Sequence, residues 1–133
     1  MKYDDIMAMQ KAERRRPAHM EDKLQIACVQ WFSYQYPDYI PFLHHSPNGG
    51  WRTKAEAGKF KAMGTRAGFP DLLLWHPNRF YPFMGIELKT PSGRQSTEQK
   101  EMQKRFEGIG ASYVIVRTLE DFIDVITSYM EAI

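Results

Sequence analysis

The chain has 133 residues, of which 43% are hydrophobic and 26% charged, and its formal net charge is +2. This length fits one domain with a single core, and the composition is typical of a globular rather than a disordered protein. The small net charge does not diagnose a nucleic-acid partner, because the placement of the charges decides that question. No run approaches the roughly 20 apolar residues of a transmembrane helix, and the N-terminus lacks a signal-peptide core. We therefore expect a cytoplasmic protein whose single cysteine, Cys28, is buried and reduced.

Residues 1–19 are predicted to form a polar, basic N-terminal arm, and residues 20–133 to form the domain. The Arg14-Arg15-Arg16 cluster in this arm is suited to phosphate contacts, because each neutralised phosphate releases counterions. A solvated tail explains the same cluster, and both interpretations stay open.

The first predicted helix runs from Glu21 to Tyr36, with Leu24, Cys28 and Trp31 spaced for one apolar face. Glu21 lies at the edge of that face, where a carboxylate is costly unless it is paired or binds a metal ion. A first-turn acid favoured by the helix dipole is the alternative explanation.

A strand is predicted at Tyr39–His45, followed by a turn at Ser46–Gly50. This turn would bring its backbone N–H groups and the Asn48 side chain close to a phosphate or to catalytic acids elsewhere in the chain. The preference of Asn and Gly for turn conformations explains the Asn-Gly-Gly sequence equally well.

A second helix is predicted from Thr53 to Met63, with Thr53 as N-cap and Glu56 completing a capping box. Basic side chains on and after this helix are suited to line a DNA groove, or to form a solvated face. They are Lys54, Lys59, Lys61 and Arg66.

Two short strands are predicted at Leu72–Trp75 and Phe83–Lys89. Because side chains alternate along a strand, Glu87 and Lys89 share one face, and antiparallel pairing through the intervening turn would bring Asp71 beside Glu87. Two carboxylates with waters and substrate phosphate suffice to hold Mg²⁺ or Mn²⁺, and a nearby ammonium would stabilise charge developing on a phosphate. The alternative is an ordinary ion pair between Glu87 and Lys89, with Asp71 ending a turn.

A third helix is predicted to begin after Ser96 and to end near Glu107, with Ser96 and Gln99 forming a capping box. A strand at Ala111–Arg117 and a closing helix capped by Thr118 complete the chain, and the apolar face of that helix serves the core or a dimer. The element order αβαββαβα predicts an α/β fold, a small mixed sheet flanked by helices.

Several of these motifs, in their order along the chain, resemble the VRR-NUC family of the PD-(D/E)XK nuclease superfamily over roughly Met20 to Ile126. They are Glu21, His45-Ser46-Pro47-Asn48-Gly49-Gly50-Trp51-Arg52, Gly64-Thr65-Arg66-Ala67-Gly68-Phe69-Pro70-Asp71, Glu87-Leu88-Lys89 and Gly93-Arg94-Gln95-Ser96-Thr97-Glu98-Gln99.

The resemblance implies a restriction-endonuclease-like core and a DNA endonuclease that requires Mg²⁺ or Mn²⁺. The metal ligands would be Asp71, Glu87, Glu21 and the Leu88 carbonyl; Lys89 would support the attacking water and Gln99 would position it. His45 and Asn48 become candidates near the site, and the DNA contacts would include Asn48, Arg52, Lys54, Lys59, Lys61, Arg66 and Arg94.

The resemblance also implies branched or junction DNA as substrate, a homodimer, and a role in phage replication or repair; whether a partner protein takes part stays open. The alternative is a non-catalytic module that uses the same charges only to position DNA or a partner nuclease.

Overall fold

The computed structural model describes residues 2–5, 17–47 and 53–133. Two of the predicted DNA contacts, Asn48 and Arg52, and the Arg14-Arg15-Arg16 cluster lie outside the described residues.

The described residues form four α-helices of nine residues or more and four strands, in the predicted order. The helices are α1 (Pro17–Gln35), α2 (Lys54–Ala62), α3 (Thr97–Gly108) and α4 (Leu119–Glu131). The strands are β1 (Leu43–His45), β2 (Leu72–Leu74), β3 (Met84–Leu88) and β4 (Ser112–Val116). None of the described helices is long and apolar enough to cross a membrane.

The four strands form one mixed sheet in the order β1-β2-β3-β4. β2 pairs antiparallel with both β1 and β3, whereas β3 and β4 run parallel. A parallel pair needs a long crossover connection, which α3 supplies here. The predicted α/β class is therefore confirmed.

The two faces of the sheet pack against different helices, because successive side chains on a strand point to opposite faces. One face carries Leu72, Leu74, Ile86 and Val116, which form a core with residues of α1 and α4. The opposite face carries Leu73 and Tyr113, which cluster with Phe106 of α3. Alternation places Glu87 on this second face, one position beyond the buried Ile86.

The first half of the strand predicted at Tyr39–His45 is wrong, because a 3₁₀ helix occupies Pro37–Phe42 and only Leu43–His45 is extended. Pro37 and Pro41 both fix φ, and Pro41 also removes a backbone donor that a ladder over the predicted strand would need. The pairing of β1 is thus limited to three residues opposite Leu72–Leu74.

Helix α1 begins at Pro17, four residues before the predicted start at Glu21. Proline is tolerated in a first helical turn because its missing N–H would have no intrahelical partner there. Glu21 consequently lies inside the helix, which weakens the explanation of this acid as a first-turn residue.

The side-chain caps predicted for the other helices are present. The Thr53 hydroxyl accepts the Glu56 N–H at 3.1 Å, which is one of the two hydrogen bonds of a capping box. Ser96 and Gln99 form the complete box, and Thr118 accepts the Asp121 N–H at 3.1 Å. These bonds satisfy backbone donors that helix starts leave unpaired.

Candidate active site

Asp71 and Glu87 lie opposite each other at the ends of two neighbouring strands. β2 and β3 pair Leu72 with Ile86, so one further step along the same register brings Asp71 to Glu87. Asp71 Oδ2 accepts the Leu88 N–H at 2.7 Å, which holds this carboxylate against β3. The predicted juxtaposition of the two acids is therefore found in the structure.

Glu87 is completely buried, and its two carboxylate oxygens have different surroundings. Oε1 accepts hydrogen bonds from the Tyr113 hydroxyl and, at 3.3 Å, from Gln95 Nε2. Oε2 is buried and has no hydrogen-bond partner among the described residues. A buried polar atom without a partner is costly, so it calls for a ligand or another explanation.

Lys89 and Glu21 belong to the same electrostatic cluster as Asp71 and Glu87. Burial raises the pKa of Asp71; the Leu88 N–H opposes the rise, Glu87 adds to it, and electrostatic interactions with Lys89 and His45 oppose it. Burial likewise raises the pKa of Glu21, with Lys89 opposing and the acids Asp71 and Glu87 adding. Helix α1 thus brings a third acid close enough to interact with the pair on the sheet.

His45, predicted to lie near the acids, contacts the backbone of Asp71. Its Nδ1 lies 3.1 Å from the Asp71 carbonyl oxygen and 2.9 Å from Gln25 Nε2. The Ser46 N–H donates to the same Asp71 carbonyl at 3.1 Å. Since the amide nitrogen of Gln25 only donates and the carbonyl only accepts, the tautomer of His45 decides which bond forms. The end of β1 therefore anchors the residue that carries the first acid.

Gln99 uses its side chain in the capping box of α3, where Oε1 accepts the Ser96 N–H at 2.8 Å. The amide that contacts Glu87 belongs to Gln95, four residues earlier. A role for Gln99 in positioning water stays a prediction, and its carbonyl oxygen is occupied by the cap.

The described basic residues that were predicted to contact DNA are all exposed. They are Lys54, Lys59, Lys61, Arg66 and Arg94. Arg66 also donates to the Lys61 carbonyl at 3.4 Å, which ties it to the end of α2. Exposure suits a phosphate contact, and the contact itself stays a prediction.

Arg117 holds the loop that follows Lys89. Its Nη1 donates to the carbonyl oxygens of Thr90 at 2.8 Å and Gly93 at 2.7 Å. Arg117, Tyr113 and Gln95 were not among the predicted site residues. Only the register of β4 beside β3 brings Tyr113 to Glu87 and Arg117 to the loop after Lys89, and no local motif marks them.

The donor set fits a hard cation such as Mg²⁺ or Mn²⁺. Within residues 2–5, 17–47 and 53–133, no three His, Cys, Asp or Glu side chains form a ready-made metal cluster. Mg²⁺ typically needs only one or two carboxylates besides waters and substrate phosphate. Asp71 and the unpartnered Oε2 of Glu87 meet that requirement.

A mixed sheet with an acid after Pro70 and a Glu-x-Lys sequence on the next strand has the arrangement of PD-(D/E)XK nuclease folds. The VRR-NUC domain model matches residues 14–118. A solved structure described as a VRR_NUC domain protein is 29% identical, with a TM-score of 0.74, and the match covers 84% of this chain and 88% of that chain. A comparison with curated proteins finds no match. The chain belongs to the VRR-NUC domain family, a nuclease family whose substrate is DNA.

Proposed function

We propose that this protein is an endonuclease that hydrolyses DNA phosphodiester bonds with Mg²⁺ or Mn²⁺ as cofactor. The observation that carries the proposal is the buried, unpartnered Oε2 of Glu87, opposite Asp71. A cation ligand needs an oxygen that no protein donor occupies, and Oε2 is such an atom.

In this proposal Asp71 and Glu87 are the principal ligands, and Glu21 and the Leu88 carbonyl complete the set. The bound ion would polarise the scissile phosphate and lower the pKa of a coordinated water. Asp71 keeps a fixed orientation because the Leu88 N–H holds its other oxygen at 2.7 Å.

Lys89 supplies positive charge beside the acids, as its effect on the pKa of both Asp71 and Glu21 indicates. Its ammonium would stabilise charge developing on the phosphate and orient the attacking water. The water oxygen would give up a proton and form a bond to phosphorus while the bond to the 3′ oxygen breaks, and the 3′ oxygen would take up a proton from solvent as it leaves. The products would be a 5′-phosphate and a 3′-hydroxyl.

The first test is a cleavage assay on single-stranded, duplex, flap and four-way-junction DNA, with Mg²⁺, Mn²⁺ or EDTA. We expect metal-dependent cutting that Asp71→Asn abolishes. Binding without cutting in either metal would overturn the proposal and favour the non-catalytic DNA-binding module.

A second test separates catalysis from binding. Lys89→Ala should abolish cleavage and leave the dissociation constant for DNA within a few-fold. Lys104→Ala removes the same charge from an exposed position on α3 and serves as the matched control. A Lys89→Ala variant that cuts at the wild-type rate would remove Lys89 from the catalytic assignment.

We further propose branched DNA as the preferred substrate and a homodimer as the active form, in phage replication or repair. A four-way junction presents paired cleavage positions, and a two-fold symmetric dimer would offer two matching sites. Sedimentation of the protein with and without junction DNA tests this part. A monomer under both conditions would exclude resolution by paired cuts.

A further inference from the structure

Tyr113 and Glu87 are joined by a buried hydrogen bond across the parallel strands β3 and β4. The Tyr113 hydroxyl donates to Glu87 Oε1, and Tyr113 itself is 8% exposed. The Phe106 ring packs edge-on against the Tyr113 ring with a centroid distance of 5.5 Å. Tyrosine has few rotatable bonds, so this packing fixes the position of the donor.

Gln95 is the second donor to the same oxygen, and its own orientation is set by a chain of amides. Gln95 Nε2 also donates to Gln103 Oε1 at 2.9 Å, and Gln103 Nε2 donates to Glu107 Oε1 at 2.8 Å. At the two ends of this chain, Oε1 of Glu87 and Oε1 of Glu107 each accept a hydrogen bond from an amide. Both amides must therefore turn their NH₂ groups toward the carboxylates.

The two donors make the oxygens of Glu87 inequivalent. A carboxylate without neighbours rotates about its last bond and presents either oxygen. In this structure Oε1 is engaged twice, and Oε2 has no partner among the described residues. Rotation away from this orientation would break both hydrogen bonds, so the carboxylate plane is held with one oxygen on the two donors and the other free.

We propose that Tyr113 is a positioning residue of the acidic site, which holds Oε1 of Glu87 so that Oε2 is the atom presented to the metal ion. Gln95 supports the same orientation through its longer hydrogen bond. This inference rests on the proposed metal-dependent function and adds a residue to it from β4. Groups that orient metal ligands typically change metal affinity by about 10- to 100-fold when they are removed.

The test is a titration of the wild-type protein and Tyr113→Phe with Mn²⁺, followed by the electron paramagnetic resonance signal of the free ion. The variant keeps the ring and loses only the hydroxyl, and circular dichroism checks that it folds. We expect its dissociation constant for Mn²⁺ to rise by about tenfold or more. Cleavage should need correspondingly more Mn²⁺ for half-maximal rate, with a maximal rate within a few-fold of the wild type.

Tyr129→Phe is the matched control. Tyr129 is another buried tyrosine, and its hydroxyl donates to the His76 carbonyl at 2.5 Å, away from the acids. It should leave the affinity for Mn²⁺ unchanged. Gln95→Leu provides a second variant, with an expected shift smaller than that of Tyr113→Phe because its hydrogen bond is longer.

The outcomes distinguish this inference from the function on which it rests. If the wild type binds Mn²⁺ and Tyr113→Phe binds it equally well, the positioning role is overturned and the nuclease proposal stands. If the wild type binds no Mn²⁺, alone or with DNA, both fail together. If Tyr113→Phe does not fold, Gln95→Leu becomes the deciding variant. A Gln95→Leu protein that binds Mn²⁺ with the wild-type affinity would then overturn the inference.

Discussion

The backbone of Gly68 lies against that of Glu98 at the start of α3. A Cβ added to Gly68 would lie 2.4 Å from both the carbonyl carbon and the carbonyl oxygen of Glu98. Gly68 also has a φ of +80°, a conformation that residues with a side chain rarely adopt. The loop that leads to Asp71 therefore depends on the absence of a side chain at this position.

Gly68→Ala should destabilise the fold by more than about 1 kcal/mol, because both the steric conflict and the positive φ oppose it. The matched control is Gly58→Ala in the middle of α2, where an added Cβ meets nothing within 4 Å. That change should stabilise the protein by about 0.5–1 kcal/mol. Urea unfolding measures both, and a Gly68→Ala variant as stable as the wild type would contradict the close approach to Glu98.

In metal-free buffer Asp71→Asn should be more stable than the wild type at neutral pH. Burial raises the pKa of Asp71, so the folded state binds this proton more tightly than the unfolded state. The stability that this bound proton contributes is fully present at pH values below the pKa of Asp71 in the unfolded chain. It is lost as the pH rises through the pKa of Asp71 in the folded protein. Asparagine keeps an oxygen for the Leu88 N–H and carries no charge.

Thermal unfolding in EDTA from acidic to neutral pH measures this difference, which should shrink as the pH falls. Added Mn²⁺ should reverse the order, because an ion bound only to the folded wild type stabilises it by mass action. If Asp71→Asn is less stable than the wild type in EDTA at every pH, the buried carboxylate of Asp71 does not destabilise the folded protein.

Arg117→Met should loosen the loop at residues 90–93 and destabilise the protein by about 1.5–3 kcal/mol, the range for hydrogen bonds to charged groups. The Arg117 guanidinium holds the carbonyls of Thr90 and Gly93, directly after Lys89. Amide hydrogen exchange should therefore rise between Thr90 and Gln95. Arg105→Met, on the exposed side of α3, should leave that exchange unchanged, and equal exchange in the two variants would refute the role of Arg117.

Cys28 should resist thiol reagents in the folded protein. Its side chain is completely buried, and burial raises the pKa of the thiol to about 12. We expect modification by a disulfide reagent at pH 8 to be at least roughly 100-fold slower than in guanidinium, since the thiolate is the reactive form. Rapid labelling without denaturant would indicate that the core under α1 opens readily.

Local patterns predicted most of the fold. The caps at Thr53, Ser96 and Thr118 depend on neighbouring residues only, and the structure contains all three. The juxtaposition of Asp71 and Glu87 was also predictable, because alternation along two short strands leaves few possible registers. The strand predicted over Tyr39–Phe42 was wrong, because the prolines at the start of and inside the 3₁₀ helix outweighed an apolar pattern that favoured a strand.

The contacts around the acids were much harder to predict from the sequence. Tyr113 lies 26 positions from Glu87 along the chain, and its contact exists only because β4 pairs with β3 in one register. Gln95 and Gln99 flank the same helix start, and the sequence favoured Gln99 for the site. The structure instead engages the amide of Gln95 with Glu87 and the amide of Gln99 with the cap.

The late position of β4 in the chain also governs when the site can first exist. A nascent chain that has emerged only as far as α3 already carries Glu21, Asp71 and Glu87, but β3 still lacks its parallel neighbour. Glu87 then lacks the hydrogen bond from the Tyr113 hydroxyl. During translation, we therefore expect the complete site to form only after β4 has left the ribosome.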